Sequence, residues 1–190
     1  MKVRFAVYCL LLALTVAGFA NNASAQAKPV ENPTVASVLD HQFSGVEAEL
    51  VPAAEAMPAD KYSFAPSQGE FKGVRNFGQQ VKHVAWANYR FFGDILGQKL
   101  EAQAGMNGPD SVQTKDEILK YLRNSFALGH TAIATITAEN LVTRVPNPRF
   151  DFMSTRLALV VVACRHAFDI YGQMVIYLRM NGIVPPASRE

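Results

Sequence analysis

Apolar residues recur every three or four positions in four separate stretches of the chain, the spacing typical of amphipathic helices. The first stretch follows Asn32 and Pro33, an order that suggests an N-cap and a proline at the first helical position. The apolar spacing predicts helices at about 33–56, 76–98, 114–139 and 154–180. Because no stretch alternates like a half-buried strand, we predict an all-α four-helix bundle.

Two of these helices begin with the residue spacing of a capping box. Asn76 stands three residues before Gln79, and Thr114 stands three residues before Glu117. The last predicted helix differs from the others because it is apolar nearly all round. That composition predicts that it is the most buried of the four.

The beginning of the chain has the features of a secretory signal peptide. Two basic residues precede an apolar run over 5–20, and Ala23-Ser24-Ala25 matches a small-x-small cleavage pattern. We predict a signal peptide over 1–25, a linker over 26–32, a bundle over 33–187, and export to the periplasm or the medium. An uncleaved anchor is the alternative, but the apolar run is shorter than the roughly 20 residues of a membrane span.

Charge and cysteine content narrow the functions of the mature chain. The full sequence has 18 basic and 16 acidic residues, and removing the predicted signal, with its two basic residues, leaves 16 of each. A neutral chain gives no support for nucleic-acid binding or for attachment to an anionic membrane surface, and we expect no membrane insertion after cleavage. Cys164 would be the single remaining cysteine, so we predict a buried structural thiol and no intrachain disulfide.

Three polar residues share one face of the fourth predicted helix. At 100° per residue, Asp169 lies about 60° and Gln173 about 20° from His166 on the helical wheel. An unpaired polar group on a buried helix costs about 1–3 kcal/mol. These side chains could therefore bond to neighbouring helices, or they could hold a ligand or a metal ion.

Two further histidines lie on predicted helices. His83 falls on the flank of the apolar stripe of the second helix, a position that suits either a groove-lining or a half-exposed side chain. His130 falls on the apolar face of the third helix. For His130 we favour a core histidine with a hydrogen-bond partner over a ligand role.

The chain resembles the DinB-like (DinB/YfiT) family of metalloenzymes over about 33–187. Three segments carry this resemblance: MPADKYSF with the nearby Pro66, VRNFGQQVKHVA, and YGQMVIYLRMNGIVPP. The resemblance implies a four-helix bundle in which three histidines hold a divalent metal ion. It also implies hydrolase or transferase chemistry, including thiol transfer.

One of the three ligand positions implied by this resemblance is altered here. His83 matches the ligand on the second helix, and His166 matches the first ligand on the fourth helix. The remaining ligand position is occupied by Ile170, whose side chain has no lone pair. Catalytic zinc sites usually have three protein ligands and a water, so we expect weak or substoichiometric metal binding.

Other side chains could complete such a site. Asp169 is the nearest replacement ligand, because residues three apart share a helix face and carboxylates bind zinc, manganese or nickel. Gln173 could orient a ligand or a bound water. His130, on another helix, is the alternative ligand.

Two functions follow from these observations. The first is a divalent-metal-dependent hydrolase or transferase that uses zinc, nickel or manganese. The alternative is a non-catalytic, stress-related bundle that binds an unidentified small molecule. A homodimer formed through the extensive apolar surface of the fourth helix is a further prediction.

Overall fold

The computed structural model describes residues 32–98, 105–146, 151 and 154–189. The predicted signal peptide and the predicted linker up to residue 31 lie outside the described residues. The described part contains four α-helices and no strand, as predicted. They are α1 (Val35–Ala56), α2 (Phe77–Leu96), α3 (Lys115–Ile133) and α4 (Arg156–Met180), with 3₁₀ turns at Ala59–Lys61 and Pro186–Ser188.

Both predicted capping boxes are confirmed. The Asn76 side chain accepts a hydrogen bond from the backbone N–H of Gln79 at 2.8 Å, and the Gln79 side chain accepts one from the backbone N–H of Asn76. Thr114 and Glu117 make the same reciprocal pair at the start of α3. The first turns of α2 and α3 are therefore fixed by contacts within four residues of chain.

The predicted start of α1 was wrong by two residues. Asn32 has a φ of 60°, whereas an N-cap residue needs extended backbone. Thr34 has that conformation, and its hydroxyl accepts from the backbone N–H of Ser37 at 3.1 Å.

The predicted end of α3 at 139 was also wrong, because the helix ends at Ile133. The Asn140 side chain accepts from the backbone N–H of Thr137 and donates to the carbonyl of Thr135. These local bonds give the backbone an alternative to further helical turns.

Each helix packs mainly against two others. α1 contacts α3 and α4, and α2 also contacts α3 and α4. Helices α1 and α2 are thus opposite each other in the bundle, and so are α3 and α4. The connections from α1 to α2 and from α3 to α4 therefore cross the end of the bundle, which explains why both are long.

The centre of the bundle contains three phenylalanine rings in edge-to-face and tilted contact. Phe43 of α1 lies 4.8 Å from Phe92 of α2 and 5.0 Å from Phe126 of α3, measured between ring centroids. All three side chains are fully buried. Aromatic pairs at this spacing add stability beyond their buried area.

The prediction that the last helix is the most buried was wrong. α2 buries 12 of its 20 residues, whereas α4 buries 8 of its 25. α4 leaves Val161, Phe168 and Ile176 exposed on its outer side. α4 is also long and apolar enough to cross a membrane by length and composition alone, as the core helix of a soluble protein can be.

The homodimer stays a prediction. The exposed apolar side chains of α4 are the surface through which it would form.

The connection between α1 and α2 folds back onto the bundle. The Tyr62 hydroxyl donates to the carbonyl of Ala54 at 2.8 Å, and the Tyr62 carbonyl accepts from the N–H of Gly78 at the same distance. The N–H of Phe77 bonds to the carbonyl of Phe64. These bonds fix the position of the first turn of α2, which leads into the polar region described next.

Candidate functional site

Two histidines from facing helices meet at the interface between α2 and α4. The Nε2 atoms of His83 and His166 are 3.1 Å apart, and the two rings are nearly perpendicular. His83 is 6% exposed, so it lies deeper than its predicted place on the flank of the helix. The interface of α2 with α4 thus brings together the two histidines that the sequence singled out.

A backbone carbonyl sets the protonation of His83. Its Nδ1 atom lies 2.5 Å from the carbonyl oxygen of Met106. Because a carbonyl can only accept a hydrogen bond, Nδ1 carries the proton and the neutral ring has its lone pair on Nε2. That lone pair points toward His166, which can donate to it or share a cation with it.

Both rings are neutral near pH 7. Burial, followed by the neighbouring His83, lowers the pKa of His166 to about 4. Burial also lowers the pKa of His83, and the hydrogen bond to Met106 opposes this shift only in part. The positive charge of Arg75 contributes to the lowering of both pKa values.

The histidine pair alone has a spacing that suits a metal ion. Zinc–nitrogen bonds of 2.0–2.1 Å in a tetrahedral site place two ligating nitrogens roughly 3.3 Å apart, close to the observed separation of 3.1 Å. The third ligand position implied by the resemblance provides no metal ligand. It is occupied by Ile170, whose side chain is 3% exposed and belongs to the hydrophobic core. Among the residues that the structure describes, two histidine nitrogens converge here, and two do not fit a catalytic centre with three protein ligands.

Asp169 does not complete the site in the structure. It is exposed, and its carboxylate oxygen Oδ2 lies 3.5 Å from the amide nitrogen of Gln173. Among the described residues, no group of three or more His, Cys, Asp or Glu side chains could hold a metal ion. The physical reason is angular: one step along the helix from Ile170 rotates a side chain by about 100°, here toward solvent.

His130 lies at a different interface, between α3 and α1. Its Nδ1 is 2.6 Å from a carboxylate oxygen of Asp40, and its Nε2 is 2.9 Å from one of Glu47. Both ring nitrogens therefore have hydrogen-bond partners, as predicted, but the side chain is 30% exposed, so the predicted core position was wrong. The structure gives His130 no contact with the pair formed by His83 and His166.

A chain of side-chain amides runs alongside the histidine pair. Gln80 donates from Nε2 to Oε1 of Gln173 at 2.8 Å, and Gln173 in turn faces Asp169. Gln80 is 2% exposed, and its side-chain oxygen accepts no hydrogen bond from a described residue. Sequence reasoning selected Gln173 but missed Gln80, although it stands three residues before His83 and so shares its helix face.

A cavity of about 400 Å³ lies beside these groups. It is formed by the approach to α2, the loop before α3, and α4. The residues lining it are Gly73, Val74, Arg75, Gln80, Met106, Asn107 and Gln173. Met106, whose carbonyl orients His83, also lines this cavity, whereas the two histidines lie beside it and do not line it. We call the cavity together with the adjoining histidine pair the His83 site.

Comparison with known proteins places the fold in a family. The DinB superfamily model matches residues 42–174, well over half of the chain. A DinB-like protein from Bacillus subtilis has a similar structure, with a TM-score of 0.59 and 17% identity over 80% of this chain and 99% of that one. No curated protein matches the chain. The chain therefore belongs to the DinB superfamily.

Proposed function

We propose that this DinB-superfamily protein is a small-molecule-binding bundle whose ligand occupies the His83 site. The observation that carries this proposal is the buried Ile170 side chain at the third ligand position of the resembled metal centre. Two imidazole nitrogens remain, which is fewer than catalytic zinc sites usually provide. The region nevertheless keeps a cavity and several polar atoms that converge on it.

The cavity supports the binding role by its size and its lining. A volume of about 400 Å³ falls within the range of small-molecule sites. Such sites combine an apolar wall with a few placed polar groups, here Val74 together with Arg75, Gln80 and Gln173. His83 is linked to this lining through the hydrogen bond from its Nδ1 to the carbonyl of Met106.

A metal-dependent hydrolase or transferase is the second candidate. It is favoured by the converging Nε2 atoms and by the Met106 carbonyl, since metal-ligating histidines commonly donate their other N–H to such a group. A divalent zinc, nickel or manganese ion bound there would supply Lewis acidity or a bound hydroxide. For this function a third donor would have to come from outside the two histidines.

Zinc titration of the untagged mature protein separates the two candidates. We expect less than one zinc ion per purified chain and weak binding by calorimetry. Ile170→His restores the third nitrogen and should raise zinc affinity by more than the roughly 10–100-fold that outer partners of metal sites contribute. Ile170→Leu is the matched control and should leave zinc affinity unchanged.

Different results of the zinc titration and of a fragment screen would contradict different parts of the proposal. One tightly bound divalent ion per wild-type chain would overturn the proposal and favour the metal-dependent enzyme. An Ile170→His variant that binds zinc no better than wild type would show that His83 and His166 do not converge as described. A fragment screen by protein NMR, with chelator present, tests binding directly, and the absence of any molecule at the His83 site would also contradict the proposal.

A further inference from the structure

The His83 site contains a positive charge for which the described part of the chain supplies no carboxylate partner. Arg75 lines the cavity, and its guanidinium forms no ion pair with any residue that the structure describes. Its Nε atom donates to the side-chain oxygen of Asn107 at 2.7 Å, which orients the guanidinium plane. The two terminal NH₂ groups are left available for a planar acceptor.

The backbone around Arg75 is held in place independently of its side chain. The hydroxyl of Tyr177 on α4 donates to the carbonyl of Arg75 at 2.9 Å. Asn76, the next residue, is the N-cap of α2. The guanidinium is therefore presented by a fixed segment rather than by a free surface side chain.

Gln80 lines the same cavity, and the orientation of its buried side-chain amide follows from the amide chain. The Asp169 carboxylate can only accept, so Gln173 turns its NH₂ toward Asp169 and its oxygen toward Gln80. Gln80 must then donate its own NH₂ to Gln173. Its oxygen is left buried and without a donor from any described residue, a state that costs about as much as a lost hydrogen bond until a ligand supplies one.

We propose that the His83 site binds a small carboxylate with a hydroxyl or amide N–H beside the carboxyl group. In this arrangement Arg75 receives the carboxylate through its NH₂ groups, and the Gln80 oxygen accepts the hydrogen bond of the neighbouring donor. Arginine binds carboxylates in two-point geometry, and an ammonium group in place of the hydroxyl would be repelled by the same guanidinium. This inference rests on the proposed small-molecule-binding function and specifies its ligand class.

Three small probes separate charge from hydroxyl recognition. Lactate carries both features, lactamide lacks the charge, and propionate lacks the hydroxyl. Binding is followed by protein NMR on the mature chain in low-chloride buffer with chelator, using the backbone signals of Gly73 and Asn107, which line the cavity. Lactate should bind roughly tenfold or more tightly than lactamide, since hydrogen bonds to a charged group are the stronger kind, and more tightly than propionate.

Variants assign this preference to Arg75. Arg75→Gln keeps the backbone carbonyl that Tyr177 holds and removes the charge, so lactate and lactamide should then bind equally. Arg123→Gln is the matched control, because Arg123 pairs with Glu55 away from the cavity; it should keep the preference for lactate. Thermal unfolding of both variants checks that the bundle still folds.

Each outcome decides the proposal. It is overturned if lactamide binds as tightly as lactate, or if Arg75→Gln retains the preference. If lactate fails to shift the signals of the His83 site but uncharged fragments do, the carboxylate inference is wrong and the small-molecule-binding function stands. If no molecule shifts them, the proposed function fails as well.

Discussion

Gly129 of α3 lies against aromatic rings from α1 and α2, so replacing it with alanine should destabilise the bundle. A methyl group at position 129 would lie 2.6 Å from Cζ of Phe43 and 2.9 Å from Cε2 of Phe92. Carbon atoms do not approach this closely without a shift of their surroundings. Both rings are fully buried, and Phe43 also packs against Phe126, so neither can move alone.

The size of the effect follows from two opposing contributions to the free energy of unfolding. Glycine in a helix interior is about 1 kcal/mol less favourable than alanine, so propensity alone predicts a gain in stability. Overpacking a core costs about 1–3 kcal/mol. The upper end applies because the added methyl group would clash with two rings at once. We expect a net loss of about 1–2 kcal/mol, which lowers the Tm of a domain of this size by roughly 2–8 °C.

Gly45→Ala is the matched control for this experiment. Gly45 lies in the middle of α1, is exposed, and has no atom within 4 Å of the position that a Cβ would occupy. Urea unfolding should therefore show a gain of about 0.5–1 kcal/mol for Gly45→Ala and a loss for Gly129→Ala. A Gly129→Ala protein as stable as wild type, alongside a stabilised Gly45→Ala protein, would refute the close packing of α1, α2 and α3 at this point.

Two further predictions concern pH and export. Burial opposes protonation of His130, but the hydrogen bonds that its ring donates to Asp40 and Glu47 outweigh burial and raise the pKa above its ordinary 6.5. The folded state therefore favours the protonated ring, so this stabilisation is complete below about pH 6.5 and is lost as pH rises through the raised pKa. Urea midpoints between about pH 6 and pH 9 should show the loss in wild type, and Asp40→Asn with Glu47→Gln should flatten it; an unchanged slope would contradict the assignment. For export, intact mass of the protein expressed from its full sequence should correspond to a chain starting at Gln26, and a mass that includes residues 1–25 would rule out cleavage.

Only some residues of the candidate site could be predicted from the sequence. His166 and Gln173 were chosen because they share a helix face whose periodicity is visible in the chain, and His83 was chosen through the family resemblance. Arg75 and Met106 were missed because each lies in a connection, where no periodic pattern shows which way a residue points. They reach the site because the crossing at the end of the bundle and the loop before α3 bring their segments beside α2 and α4.

The sequence also did not show which helix is the most buried. The apolar composition of the last helix suggested the deepest position in the core, whereas α2 occupies it. Composition measures how much apolar surface a helix offers but not how many neighbours it has. The neighbours depend on which helices are opposite in the bundle, and this follows from the long connections that cross its end.

Local physical chemistry was thus sufficient for the number of helices, their type and two of their caps. These features depend on side chains and backbone groups within four residues of one another, which a single sequence displays directly. The meeting of His83 with His166, the turning of Asp169 toward solvent and the unpaired Gln80 oxygen depend on groups tens of residues apart. Their relative positions come from the packing of α2 against α4, because only packing fixes the rotation of each helix about its own axis.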